Sequence, residues 1–179
     1  MLYHNLSLLK IYMKKKSEQY SIDNHNISQE DIDPDVYKIS ESLISNGYQA
    51  FLVGGCIRDI LLGKKPKDFD IATDANPSEI CKIFSHAKII GRRFKIVHVY
   101  VAEKKYFEVT TFRSDIKHNG SQKKFKKTHG MIRRDNLFGS ISQDAFRRDF
   151  TVNSLYLDLD SQILHDYVNG FDDIKAKKL

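Results

Sequence analysis

Between residues 51 and 74 the chain reads FLVGGCIRDILLGKKPKDFDIATD. The apolar run Phe51-Leu52-Val53 ends on Gly54-Gly55, a pair that permits an abrupt turn from strand into helix. Ile57, Ile60, Leu61 and Leu62 then fall on one side of a short helical pattern, with Arg58 and Asp59 on the other. Gly63 ends the helix, and the basic turn Lys64-Lys65-Pro66-Lys67 delivers Asp68-Phe69-Asp70. A strand, a glycine turn, a short helix and a second strand opening on two carboxylates leave few ways for the rest to pack.

If residues 68–73 form that second strand, positions i and i+2 share a face, so Asp68 and Asp70 project together while Phe69 turns into the core. Two carboxylates held this close repel and partly protonate unless a cation sits between them. Hard oxygen ligands suit Mg²⁺ or Mn²⁺. Glu108, in FEVTTFR, is the best placed third carboxylate, because beside Val109 and Phe112 an unpartnered glutamate is costly. Glycines at a strand-to-helix junction let backbone N–H groups approach phosphates, and Arg58, one turn on, faces the same phosphates. Each feature alone has a plain structural reading, since Asp pairs cap turns and Gly-Gly makes tight ones. Combined, they describe a site for a nucleoside triphosphate and two metal ions, where a 3′-hydroxyl is activated and leaving pyrophosphate stabilised.

A chain of 179 residues makes about one domain. Its net charge of +6 points to a polyanionic partner, nucleic acid first, although a basic protein can be merely soluble. Cys56 and Cys81 are the only cysteines and the seven histidines are scattered, so no zinc site is expected. Sparse cysteine fits a reducing, cytoplasmic setting. The N-terminal apolar stretch precedes its lysines, the reverse of a secretory signal. No apolar run approaches the roughly 20 residues of a membrane span, and no membrane partner is expected.

Residues 1–34 read as a mobile, polar N-terminal arm, with Ile27 and Ile32 able to dock on the domain that runs over 35–179. Asp35 reads as the N-cap of a helix burying Val36, Ile39, Leu43 and Ile44. Residues 48–53 form the first strand. Asn76-Pro77 starts a helix that buries Ile80, Ile83 and Phe84. A short strand at 88–90 and a hairpin of 95–101 with 106–112 follow. The stretch 113–135 carries eight Lys or Arg against two Asp, an excess equal to the charge of the whole chain. A basic loop this long is functional or disordered, with Lys123, Lys124, Lys126 and Lys127 as candidate RNA contacts. Order returns with a helix over 142–148, an Arg-Arg-Asp turn, a helix or strand carrying Val152, Leu155, Tyr156 and Leu157, a strand at 163–167 and a last helix from Gly170.

LVGGCIRDILLGKKPKDFDIATDANP, EVTTFR and RRDFTVNSLY, in that order, resemble the head domain of class II nucleotidyltransferases, the bacterial poly(A) polymerases and CCA-adding tRNA nucleotidyltransferases of the polymerase β-like superfamily. The resemblance covers residues 36–179. It implies an α+β nucleotidyltransferase fold with a mixed, mostly antiparallel sheet flanked by helices. It also implies two Mg²⁺ or Mn²⁺ ions on Asp68 and Asp70, with Glu108 as third ligand and ATP as substrate. Gly55 and Arg58 are implied at the triphosphate, Gly54 and Asp59 as further nucleotide-binding residues, and Arg147, Arg148, Asp149 and Asn153 at the sugar and phosphates, Asp149 with a catalytic part. The bottom-up alternative is that the acid of this Arg-Arg-Asp turn only orients its arginines.

Within the family, KKPKDFD, GRRFKIVHV, the run RDNLFGSISQDAFRRDF, HDYVNGFDDIKAKKL and Asn153-Ser154-Leu155-Tyr156 look like the poly(A) polymerase branch. The expected activity is therefore transfer of AMP from ATP to RNA 3′-hydroxyl ends, with CCA addition as the alternative. The family continues into a helical neck and body beyond the point where this sequence stops at Leu179. The remaining alternative is a head that binds nucleotide or RNA without efficient polymerisation.

Overall fold

A computed structural model describes residues 17–92, 94–114 and 138–178. The first strand, β1 (Glu18–Tyr20), is followed by the helical turn α1 (Ile22–His25) and helix α2 (Pro34–Ser45). Strand β2 (Ala50–Val53), helix α3 (Gly55–Leu61), strand β3 (Asp70–Thr73) and helix α4 (Pro77–Ile83) come next. Strands β4 (Ala87–Ile90), β5 (Ile96–Ala102) and β6 (Lys105–Thr111) form an antiparallel meander. Helix α5 (Ile141–Phe146), strands β7 (Leu155–Asp158) and β8 (Ile163–Asp166) and helix α6 (Gly170–Lys175) complete the described chain.

All eight strands join one sheet in the order β1-β8-β7-β2-β3-β6-β5-β4. Among the described strands only β3 and β6 run parallel; the other pairings are antiparallel. The expected mixed, mostly antiparallel sheet flanked by helices is the fold observed.

Strand alternation sorts the apolar residues onto two faces. Ala50 and Leu52 of β2, Ile71 of β3, Val97 and Val99 of β5, Phe107 and Val109 of β6 and Leu155 and Leu157 of β7 join one large core, which helices α2, α3, α4 and α6 cover. The residues between them, Phe51, Val53, Ala72 and Tyr156, face the other way and build a smaller cluster with Phe112 and Ala145 of α5. By the same alternation Asp70 shares the small-cluster face with Ala72. The functional groups therefore stand on the thinly covered side, braced from behind by the large core.

Several sequence expectations change at this level. The N-terminal boundary moves: β1 pairs with β8 at the sheet edge, and Ile27 and Ile32 are buried in the core, so residues 18–33 are built into the domain. Residues 1–16 lie outside the described residues. The N-cap of α2 is Asp33, which accepts the Asp35 N–H at 3.0 Å with Pro34 in the first turn. Asp35 instead pairs with Lys38 and Lys105. Ile44 and Leu62, expected on buried faces, are exposed. Strand β3 starts at Asp70, two residues later than expected, so Asp68 lies on the exposed approach to it. The Asn76 cap holds as read, its side chain accepting from Ser78 and Glu79 N–H. The basic stretch, with Lys123, Lys124, Lys126 and Lys127, lies outside the described residues save at its first two positions.

Candidate active site

Asp70 stands directly opposite Glu108 where β3 and β6 pair in parallel. Glu108 in turn faces His98 on β5, and His98 faces Lys88 on β4. One cross-strand row thus reads Asp70, Glu108, His98, Lys88. His98 Nε2 lies 3.4 Å from Glu108 Oε1. Burial, then the facing Glu108 carboxylate, push the Asp70 carboxyl up to about 6; Arg148 works against that shift and Asp68 adds to it. A carboxylate buried beside others in this way is a site short of positive charge.

Gly54 explains how Asp70 comes so close to the turn. Its φ of +91° and ψ of −145° belong to a region that glycine alone adopts freely. A β-carbon there would lie 3.3 Å from Asp70 Oδ2 and 3.9 Å from an Arg148 Nη1. The turn therefore packs its bare backbone against both the acid and the arginine. From the next turn Arg58 donates to Asp59 Oδ1 through Nε (2.9 Å) and Nη2 (2.7 Å), and to Asn153 Oδ1 through Nη1 (2.9 Å). The glycine turn and the Arg-Arg-Asp segment, almost a hundred residues apart in sequence, meet through that last bond.

The opposite wall depends on an acid that the sequence reading did not single out. Asp144 on α5 is almost fully buried. It accepts from Arg147 Nε at 2.8 Å, from Arg148 Nη2 at 3.1 Å, from the Tyr156 hydroxyl at 2.7 Å and from the Arg113 N–H at 3.0 Å. Burial by itself would raise this carboxyl, but Arg148, Arg147, Tyr156 and the Arg113 amide outweigh it and hold it below the usual carboxylate range. Burial likewise pushes the Tyr156 hydroxyl upward, so it stays a donor. The arginines are oriented by Asp144, spaced three and four residues before them on a helical turn, and this i, i+3, i+4 spacing is the signal that could have found it. Asp149, the other candidate for that task, is exposed and makes no hydrogen bond or ion pair with another described residue.

Between the walls lies a cleft of about 470 Å³, whose polar lining includes Asp70, Glu108, Arg147, Arg148, Asp149 and Asn153. Asp68, Gly55, Arg58 and Asp59 are not in its lining; Asp68 acts on Asp70 through its charge, and Arg58, held by Asp59, reaches the lining residue Asn153. Phe94, Ile96 and Phe150 give it apolar edges. Among the described residues no three His, Cys, Asp or Glu side chains are gathered closely enough, as they stand, to hold a metal ion. The donor set still fits a hard divalent cation: two carboxylates in register, one of them raised by burial and then by its neighbour, with Asp68 on an exposed segment beside them. No described helix is long and apolar enough to cross a membrane.

The sequence pattern of the family described as Poly A polymerase head domain matches residues 50–179. The chain is 45% identical over 155 residues to poly(A) polymerase I of Escherichia coli O6:H1, covering 86% of this chain and 33% of that protein. It is 36% identical over 143 residues to the CCA-adding enzyme of Lactococcus lactis subsp. lactis, covering 79% of this chain and 34% of that one. Among solved structures, the Bacillus stearothermophilus CCA-adding enzyme in complex with CTP superposes with a TM-score of 0.63 at 32% identity, over 80% of this chain and 32% of that chain. The chain spans about a third of the length of these curated relatives.

Proposed function

Because the chain belongs to the poly(A) polymerase head-domain family, we propose that it carries the reaction centre of an enzyme that transfers AMP from ATP to the 3′-hydroxyl of RNA, releasing pyrophosphate. The observation that carries this reading is Asp70 in register with Glu108 beneath the Gly54 turn, with Arg148 facing them. The identity to a poly(A) polymerase I, 45% against 36% for a CCA-adding enzyme, favours adenylation.

In this reading Asp70 and Glu108 would hold two Mg²⁺ or Mn²⁺ ions, with Asp68, on the approach to β3, as the third carboxylate. Ions bound there supply Lewis acidity, favouring the ionised 3′-hydroxyl and offsetting charge on the triphosphate. The backbone N–H groups after Gly54 and the Arg58 guanidinium receive phosphate oxygens, with Asp59 and Asn153 fixing the guanidinium plane. Arg147 and Arg148 reach the sugar and phosphates from the other wall, held ready by Asp144 at no reorganisation cost during the reaction. Asp149, unencumbered at the cleft rim, accepts from the ribose. The basic stretch 113–135 guides RNA toward the cleft electrostatically. Sparse cysteine supports a cytoplasmic setting for this reaction.

CCA addition is the second reading, supported by the likeness to CCA-adding enzymes. The two separate in one experiment: the chain is incubated with Mg²⁺ and labelled ATP or CTP, on single-stranded RNA and on tRNA lacking its terminal CCA. Repeated AMP addition to single-stranded RNA is the expected result. CMP incorporation confined to the tRNA supports the second reading, and no incorporation of either nucleotide contradicts both.

A further inference from the structure

The face that carries Asp70 and Glu108 continues beyond them, across β5 and β4. Helix α4 packs on the reverse of these strands, where Val97, Val99 and Phe107 join the large core with Ile80. On the near face the His98 and Tyr106 rings stack at 4.1 Å between centroids and 11° between planes. Tyr100 lies 5.5 Å from Tyr106, and the exposed Lys88 ammonium stands 5.4 Å over the Tyr100 ring. Tyr106, next to the turn between β5 and β6, is 45% exposed. The rings begin at Glu108 itself, through His98.

We propose that the aromatic surface of Tyr106 and Tyr100, backed by the largely covered His98 ring and closed by Lys88, is a stacking track for the last few nucleobases of single-stranded RNA leading to its 3′ end. The inference rests on the transferase reading above. In that reading the 3′-hydroxyl must reach Asp70 and Glu108, while the Arg147–Arg148 wall is taken by the triphosphate. The upstream nucleotides must then leave by another side. The row from Glu108 through His98 to Lys88 is a path that starts at the reacting carboxylates; Tyr106, stacked on His98, and Tyr100 give it ring surface, followed by a cation. Crossing from β3 to β4 takes three strand spacings of about 4.8 Å each, room for a few stacked nucleotides. Stacking on aromatic rings is the sequence-tolerant way to hold single-stranded nucleic acid, and a cation at the end of the path takes a phosphate.

The test compares oligoadenylate binding, and the KM for oligoadenylate in AMP addition, for the wild-type chain and for Tyr106→Ala, Tyr106→Phe and Lys88→Ala, with circular dichroism and ATP binding as fold controls. Tyr106→Ala is expected to weaken RNA binding and raise its KM by roughly tenfold, the scale of one lost base–aromatic stack, with ATP affinity and the salt slope unchanged. Tyr106→Phe retains the ring and is expected to behave as wild type. Lys88→Ala is expected to lower the salt slope by about 0.7. A folded Tyr106→Ala variant with wild-type RNA affinity and KM overturns the track and leaves the transferase reading standing. A wild-type chain that neither binds nor extends RNA overturns both. If Tyr106→Ala instead abolishes a dimer seen in solution with RNA affinity intact, the face is a contact between copies and the proposal is wrong.

Discussion

Asp70 and Glu108 face one another across the single parallel strand pair among the described strands, although 38 positions separate them in sequence. A parallel pairing in an otherwise antiparallel sheet needs a long crossover, and here α4, β4 and β5 supply it. Its product is two acids side by side on the thinly covered face.

That arrangement strains the metal-free fold. Asp70 has its carboxyl raised to about 6 from 3.8, so between those values the folded chain binds more protons than the unfolded one. Stability then falls as pH rises through that window. Asp70→Asn removes the effect and should raise the stability of the metal-free protein at pH 7.5 by on the order of 2 kcal/mol, an advantage that disappears toward pH 4. Thermal melts of both proteins across that range check it. Added Mg²⁺ should raise the melting temperature of the wild type and leave that of Asp70→Asn nearly unchanged.

Asp144 is the acid on which the second wall depends. Asp144→Ala leaves Arg147 and the buried Tyr156 hydroxyl without their acceptor, and Arg148 with only the Tyr156 oxygen and the Asn153 carbonyl. Loss of one partner from a buried ion pair costs about 3–5 kcal/mol. Chemical denaturation should show a loss of that size, and ATP binding should weaken even under conditions where the variant remains folded.

Gly54→Ala combines an unfavourable backbone with a β-carbon 3.3 Å from Asp70 Oδ2. The conformational part alone is about 1–3 kcal/mol. The substitution should lower both stability and the rate of nucleotide transfer, whereas Gly55→Ala, whose β-carbon meets only the movable Arg58 guanidinium at 3.3 Å, should be milder. Melting temperature and single-turnover rate, measured side by side, decide between them.

Neutralising Lys123, Lys124, Lys126 and Lys127 removes four of the positive charges concentrated in 113–135. If each meets a phosphate, the dependence of log affinity on log salt should flatten by up to roughly 3 for single-stranded RNA. Filter binding at a series of salt concentrations measures the slope, and an unchanged slope would show that these lysines do not meet RNA.

The framework was legible where local chemistry decides it. Gly54-Gly55, the Asn76-Pro77 cap and the alternating hairpin of β5 and β6 each follow from short-range rules, and each stands where the sequence puts it. The misread details depend on distant partners. Asp33 caps α2 because Pro34 takes the first helical position, while Lys105, some seventy positions on, pairs with both Asp33 and Asp35. Residues 18–20 look like a polar arm until β8 supplies an edge for them to pair with. Asp68 sits outside β3 because the ladder to β2 ends at the Val53 and Asp70 pair. Asp144 escaped notice because two of its donors, the Arg113 N–H and the Tyr156 hydroxyl, come from distant parts of the chain.

The most direct test of the central claim is AMP addition to an RNA 3′ end in Mg²⁺, under single-turnover conditions, by the wild-type chain and by Asp70→Asn. The wild type should add AMP, and the variant should be slower by roughly 10²–10³-fold or more, the scale of a lost group at the reacting centre, while remaining folded. A folded Asp70→Asn variant that adds AMP at the wild-type rate would contradict the account.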